Sequence, residues 1–154
     1  MPTTPFKSLK LPLAQLNLKA VLKCGQSFRW TVTQLESDDK ELTTKTEISD
    51  DSKPNCSPPT EEWRLTLADR VVCLRQTDDE LFYRACFPNK PSIGSDSDAT
   101  DSTLQWLRDY FQLDIDLEKL YSQWNESDPV FKKVAPRFVG IRILRQDPWE
   151  NLVR

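Results

Sequence analysis

The hydrophobic pattern switches its period between the middle of this chain and its last third, and that change restricts the fold class. Between Trp63 and Phe87 apolar residues follow the two-residue period of strands, and from Leu104 onward they recur every three or four residues, as on a helix face. Strands gathered in one stretch and helices in another predict an α+β fold, with an antiparallel sheet made of consecutive hairpins. Trp63, Leu65 and Leu67 mark one strand, and Ala68–Arg70 a turn. Val71–Arg75 is a second strand, Thr77–Asp79 a second turn, and Leu81–Phe87 a third strand. Upstream, Leu16–Lys23 reads as a short helix with Asn17 as its N-cap and Gly25 just past its end. In the stretch QSFRWTVTQ, Phe28, Trp30 and Val32 alternate with polar residues, which predicts a half-buried strand with Phe28 and Trp30 in the core.

In the C-terminal third, Ser102 is the expected cap of a helix with Leu104, Leu107, Tyr110 and Phe111 on one face. Asp116 opens a second helix, lined by Leu117, Leu120, Tyr121 and Trp124. Asp128-Pro129 pairs an N-cap with a first-turn proline. It opens a third helix, expected to bury Val130, Phe131, Val134 and Phe138 and to close at Gly140. Asp147-Pro148 repeats that signal, and Trp149, Leu152 and Val153 begin an apolar face. The sequence stops at Arg154, so a helix opened this late is expected to belong to a longer protein.

Two polar stretches interrupt the pattern. Residues 36–59 hold seven acids and three bases, and they are expected to be a disordered insert; 88–101 are expected to form a flexible loop. Outside these acidic stretches the net charge of −3 gives way to a mild positive excess, which is compatible with nucleic acid. The remainder has the length of one domain, 1–154. The 154 residues contain no histidine, and the four cysteines include no C-x-x-C pair. Neither a metal site nor an organic cofactor is therefore expected. Cys24, Cys56, Cys73 and Cys86 read as buried, reduced, structural thiols. No apolar run approaches the roughly 20 residues of a membrane span, and the first ten residues lack the apolar core of a secretory signal. An intracellular protein without a membrane partner is the expectation.

Three motifs, in order, carry a family resemblance: GQSFRW (Gly25–Trp30), YFQLDIDLEKLYSQW (Tyr110–Trp124) and FVGIRILRQDPWENL (Phe138–Leu152). Together they resemble the N-terminal domain of eukaryotic 8-oxoguanine DNA glycosylases. The likeness runs from about Leu9 to Leu152, apart from the polar inserts. It implies a strongly twisted antiparallel sheet with packed helices, similar to one half of the TATA-binding-protein fold. It also implies a nuclear or mitochondrial base-excision repair enzyme that removes oxidised guanine from double-stranded DNA and then cleaves the abasic strand. Gly25 matches the glycine whose main-chain carbonyl reads the lesion, so it is the expected substrate-binding residue; a plain helix C-cap is the other reading of the same position. The family's helix-hairpin-helix, its catalytic aspartate and its Schiff-base lysine would lie beyond Leu152. No catalytic residue is carried over, and the chain alone is expected to be inactive, with weak or absent binding to such DNA. The competing reading is a non-catalytic α+β protein-interaction module unrelated to repair, separable from the first by the partners it captures.

Overall fold

The computed structural model describes residues 3–35, 58–88 and 96–153. The fold is α+β, with a five-stranded sheet and five α-helices among the described residues. In chain order the elements are β1 (Lys7–Lys10), α1 (Leu18–Lys23), β2 (Thr31–Gln34), β3 (Glu61–Thr66), β4 (Val71–Gln76) and β5 (Glu80–Cys86). They are followed by α2 (Asp96–Tyr110), α3 (Leu117–Ser127), α4 (Pro129–Val134) and α5 (Pro148–Val153). The chain divides into two compact units. One comprises residues up to Pro12 with Arg29–Thr103; the other comprises Leu13–Phe28 with Leu104–Arg154.

The first unit holds the whole sheet, in the order β1-β5-β4-β3-β2 with every pairing antiparallel. The hairpins predicted at 68–70 and 77–79 close with Leu67 N–H to Arg70 C=O at 2.8 Å and Thr77 N–H to Glu80 C=O at 2.9 Å. Directly paired residues share a sheet face, which sorts the side chains cleanly. Trp63, Leu65, Val72, Leu74, Leu81, Tyr83 and Ala85 are buried on one face. Each of the larger side chains among these contributes about 1.5–3 kcal/mol by leaving water. The opposite face carries Glu62, Arg64, Cys73, Arg75 and Arg84.

The expected strand through QSFRW forms only from Thr31, and all four β2 residues are exposed. Trp30 is buried as expected, but Phe28 is 75% exposed and Ser27 is buried. A two-residue period fixes the facing of side chains only where the ladder enforces it. Gln26 to Trp30 lie outside the ladder, so the alternation there has no phase to keep.

In the second unit the helix starts follow their caps. Asn17 Oδ1 accepts from Ala20 N–H at 3.1 Å and Asp116 Oδ1 from Lys119 N–H at 3.2 Å. Asp128 Oδ1 accepts from Val130 N–H at 2.7 Å, and Asp147 Oδ1 from Trp149 N–H at 2.8 Å. Leu16, Leu18, Val21, Leu107 and Phe111 form the buried centre. Ser102 is not a cap, because α2 already runs from Asp96 and Ser102 lies inside it. Of the flexible loop expected at 88–101, residues 96–101 are therefore helical, while 89–95 lie outside the described residues; so do 36–57 of the expected disordered insert.

The third predicted helix also differs. It ends at Val134 and tightens into a 3₁₀ turn over Ala135–Arg137, because Pro136 has no N–H to continue the ladder. Val130, Val134 and Phe138 are exposed rather than buried. Phe131 instead packs against Tyr121 and Trp124, with ring centroids 5.4 and 5.5 Å away.

Candidate site around the Gly25 loop

Helix α1 hands the chain to the GQSFRW segment through a left-handed glycine. Cys24 is the C-cap, and Gly25 follows at φ +87°, a conformation that costs a side-chain-bearing residue about 1–2 kcal/mol. Gly25 is exposed, and a Cβ added there would meet nothing within 4 Å. Among the described residues its carbonyl has no hydrogen-bond partner. The position has the geometry of a residue just past a helix C-cap, and it is open to solvent.

What holds the loop is the neighbouring Gln26. Its side-chain amide donates from Nε2 to the Arg142 carbonyl at 2.8 Å, and its Oε1 accepts from Leu144 N–H at 3.0 Å. The side chain therefore mimics a strand residue pairing with an extended segment. Gln146 Nε2 donates back to the Gln26 carbonyl. Segment 142–146 alternates accordingly, with Arg142 and Leu144 buried and Ile143 and Arg145 exposed.

Arg142 in turn anchors that segment. Its guanidinium donates to the carbonyls of Gln15 at 2.5 Å, Gln112 at 2.7 Å and Ile115 at 2.9 Å, and to Gln15 Oε1 at 2.8 Å. Burial lowers its pKa from the ordinary arginine value, with the nearby Asp116 carboxylate opposing. These four bonds satisfy a cation that would otherwise be costly to bury. Gln26 and Arg142 together tie residues 142–146 to the loop that follows Gly25.

Sequence reasoning singled out Gly25 but missed Gln26, Arg142 and Gln146. The only signal was their presence within GQSFRW and FVGIRILRQDPWENL, since a structural glutamine has no periodicity of its own. Arg29 donates to the Thr66 carbonyl inside the sheet unit. Cys24 is exposed, contrary to the buried thiol expected, because it sits on the helix end rather than on the apolar face of Leu18, Val21 and Leu22. Among the described residues no cluster of three or more His, Cys, Asp or Glu could hold a metal ion. No described helix is long and apolar enough to cross a membrane.

Residues 8–152 match the family described as 8-oxoguanine DNA glycosylase, N-terminal domain. The chain belongs to that family. It is 32% identical over 149 residues to the N-glycosylase/DNA lyase of Saccharomyces cerevisiae, an alignment spanning 96% of this chain and 33% of the yeast protein. It is 27% identical over 154 residues to the N-glycosylase/DNA lyase OGG1 of Arabidopsis thaliana, spanning 99% of this chain and again 33% of the relative. The chain therefore spans about a third of the length of the curated relatives it matches. Membership in a DNA glycosylase family leaves the reading of an interaction module unrelated to repair without an observation in its favour.

Proposed function

We propose that this chain is the lesion-recognition part of a base-excision repair DNA glycosylase/abasic lyase acting in the nucleus or mitochondrion, with Gly25 as its substrate-binding residue. The supporting observation is the exposed Gly25, whose carbonyl has no hydrogen-bond partner among the described residues, on a loop held by Gln26. Normal guanine presents N7 as an acceptor, whereas the keto form of 8-oxoguanine carries a hydrogen there. A carbonyl placed opposite N7 accepts from the lesion but meets a lone pair on the undamaged base. The difference between a made and an unmade buried hydrogen bond is about 1–3 kcal/mol, or roughly 5–150-fold in selection. The base must leave the duplex to reach such a carbonyl, as in other enzymes that act on bases.

The test joins this chain to the catalytic half of a relative and compares two rates in Gly25→Val. Excision of 8-oxoguanine should fall steeply, while cleavage at a pre-formed abasic site persists to a greater degree. If the variant folds and both rates fall equally, Gly25 is a helix cap and no more. By itself the chain carries out neither step, because no lysine matches the imine-forming nucleophile. Borohydride trapping on an oligonucleotide containing 8-oxoguanine should give no covalent adduct; an adduct abolished by changing one lysine would refute this.

A further inference from the structure

The sheet unit holds a second arrangement that Gly25 does not explain. On one sheet face the Glu62 carboxylate is fully buried beneath three guanidiniums. Arg64 takes Oε1 through Nε and NH2, both at 2.6 Å, and Arg75 takes Oε2 through Nε and NH2, both at 2.8 Å. Those two forks occupy both oxygens. Arg84 reaches Oε2 only at 3.4 Å, and its Nε is buried without a partner among the described residues. The Phe6 ring lies against Arg75 and Arg84, 4.5 and 4.4 Å from their guanidinium carbons. One carboxylate thus faces three cations, and Arg84 is the one with no anion of its own.

Register places this surplus charge in a defined geometry. Arg64 pairs with Cys73, and Cys73 with Arg84, so the three form a row across β3, β4 and β5. The small cysteine separates two arginines whose strands are two spacings, about 10 Å, apart. At the β2 end of the same row stands Thr31, which is exposed. The side chain of Arg64 is 47% exposed and that of Arg84 21%. Planar guanidinium forks of this kind match phosphate oxygens, and close like charges are relieved when an anion joins them.

We infer that the Arg64–Cys73–Arg84 row is an anion site that takes a phosphodiester group of nucleic acid. The choice of phosphodiester rests on the reading of this chain as part of a DNA-acting protein, but not on Gly25. Such a contact positions the duplex without reading its sequence. It therefore acts on damaged and undamaged DNA alike.

The experiment measures binding of the 154-residue chain to a labelled, undamaged duplex by fluorescence anisotropy across a range of salt concentrations. Arg84→Gln should weaken binding about tenfold, the loss of one charge-assisted contact. It should also flatten the dependence of log K on log salt by about one unit. Thr31→Glu sets a carboxylate beside Arg64 from an exposed position outside the ion network, and should act in the same direction. That variant decides the matter if Arg84→Gln fails to fold. In parallel, inorganic phosphate should shift the arginine Nε–H signals of Arg64 and Arg84 in nitrogen–proton spectra. Wild-type affinity and salt slope in a folded variant would overturn the inference, as would a wild-type chain that binds no duplex. Shifts with inorganic phosphate but unchanged duplex binding in the variants would mark a small-anion site and overturn the nucleic-acid assignment. Loss of preference for damaged duplex with these contacts intact would count against Gly25 alone.

Discussion

The carbonyl of Gly140 accepts from the backbone N–H of Asn17 at 2.9 Å, so close an approach that a Cβ at 140 would lie 2.0 Å from the Leu13 carbonyl oxygen. Gly140 is therefore a close-approach glycine that braces the start of α1, rather than the helix terminator that its position suggested. Both it and Gly25 have positive φ, +74° and +87°, yet only Gly140 is also enclosed. Gly140→Ala should cost about 3 kcal/mol or more, combining left-handed strain with backbone overlap. Gly25→Ala should cost about 1–2 kcal/mol, from strain alone. Urea denaturation of the two variants checks this, and equal losses would show that the two glycines share one role.

Gln26 should matter more than an exposed loop residue usually does. Gln26→Leu leaves the Leu144 N–H and the Arg142 carbonyl without their partners, and both residues are buried. The expected loss is about 1–3 kcal/mol. Amide exchange at Leu144 should accelerate well beyond that at Val72 in the sheet. Gln26→Glu tests the same geometry, because a carboxylate keeps the acceptor but cannot donate to Arg142. It should fall between wild type and leucine.

The parts of the fold that could be read from the sequence were those where local chemistry acts without help. The caps at Asn17, Asp116, Asp128 and Asp147 were legible because a short polar side chain serves N–H groups only two or three residues on. The three strands of β3 to β5 were legible because alternation and turn residues agree. Phe28, Val130 and Phe138 were misplaced, because apolarity says that a side chain prefers burial and not whether a partner surface exists. Gly25 was legible as a position, through the motif around it. The support beneath it was not, because Gln26 bonds to residues more than a hundred positions away in sequence and Arg142 to residues 27 to 127 positions away.

The thiols should separate sharply by reactivity. Burial, with the neighbouring Cys86 and the Glu62 carboxylate adding to it, pushes the Cys73 thiol up to about 11. Thiolate is the reactive form, so at neutral pH Cys73 is both protonated and covered. Cys24 is exposed at the end of α1. Brief treatment with iodoacetamide followed by mass spectrometry should modify Cys24 well ahead of Cys73. Comparable labelling of Cys73 in the native protein would mean that the sheet face opens readily.

Acid should attack the sheet unit through Glu62. Burial by itself would raise the pKa of this carboxyl, but the hydrogen bonds from Arg64 and Arg75 and the charges of Arg84 and Arg64 together outweigh it. The net result lies below the usual glutamate value. A group depressed on folding binds its proton more readily in the unfolded chain, so it stabilises the fold above the unfolded pKa of about 4.3. That contribution is lost as pH falls below this value and through the depressed folded one. Glu62→Gln removes the titration and leaves Arg75, which is almost fully buried, without its carboxylate. Breaking a buried pair on one side costs about 3–5 kcal/mol at neutral pH. The gap between wild type and Glu62→Gln should therefore be widest near pH 7 and narrow on acidification, as the wild-type carboxylate protonates. Thermal midpoints of both proteins from pH 7 to pH 3 measure it. A gap that stays constant over that range would show that the three arginines do not depend on an ionised Glu62.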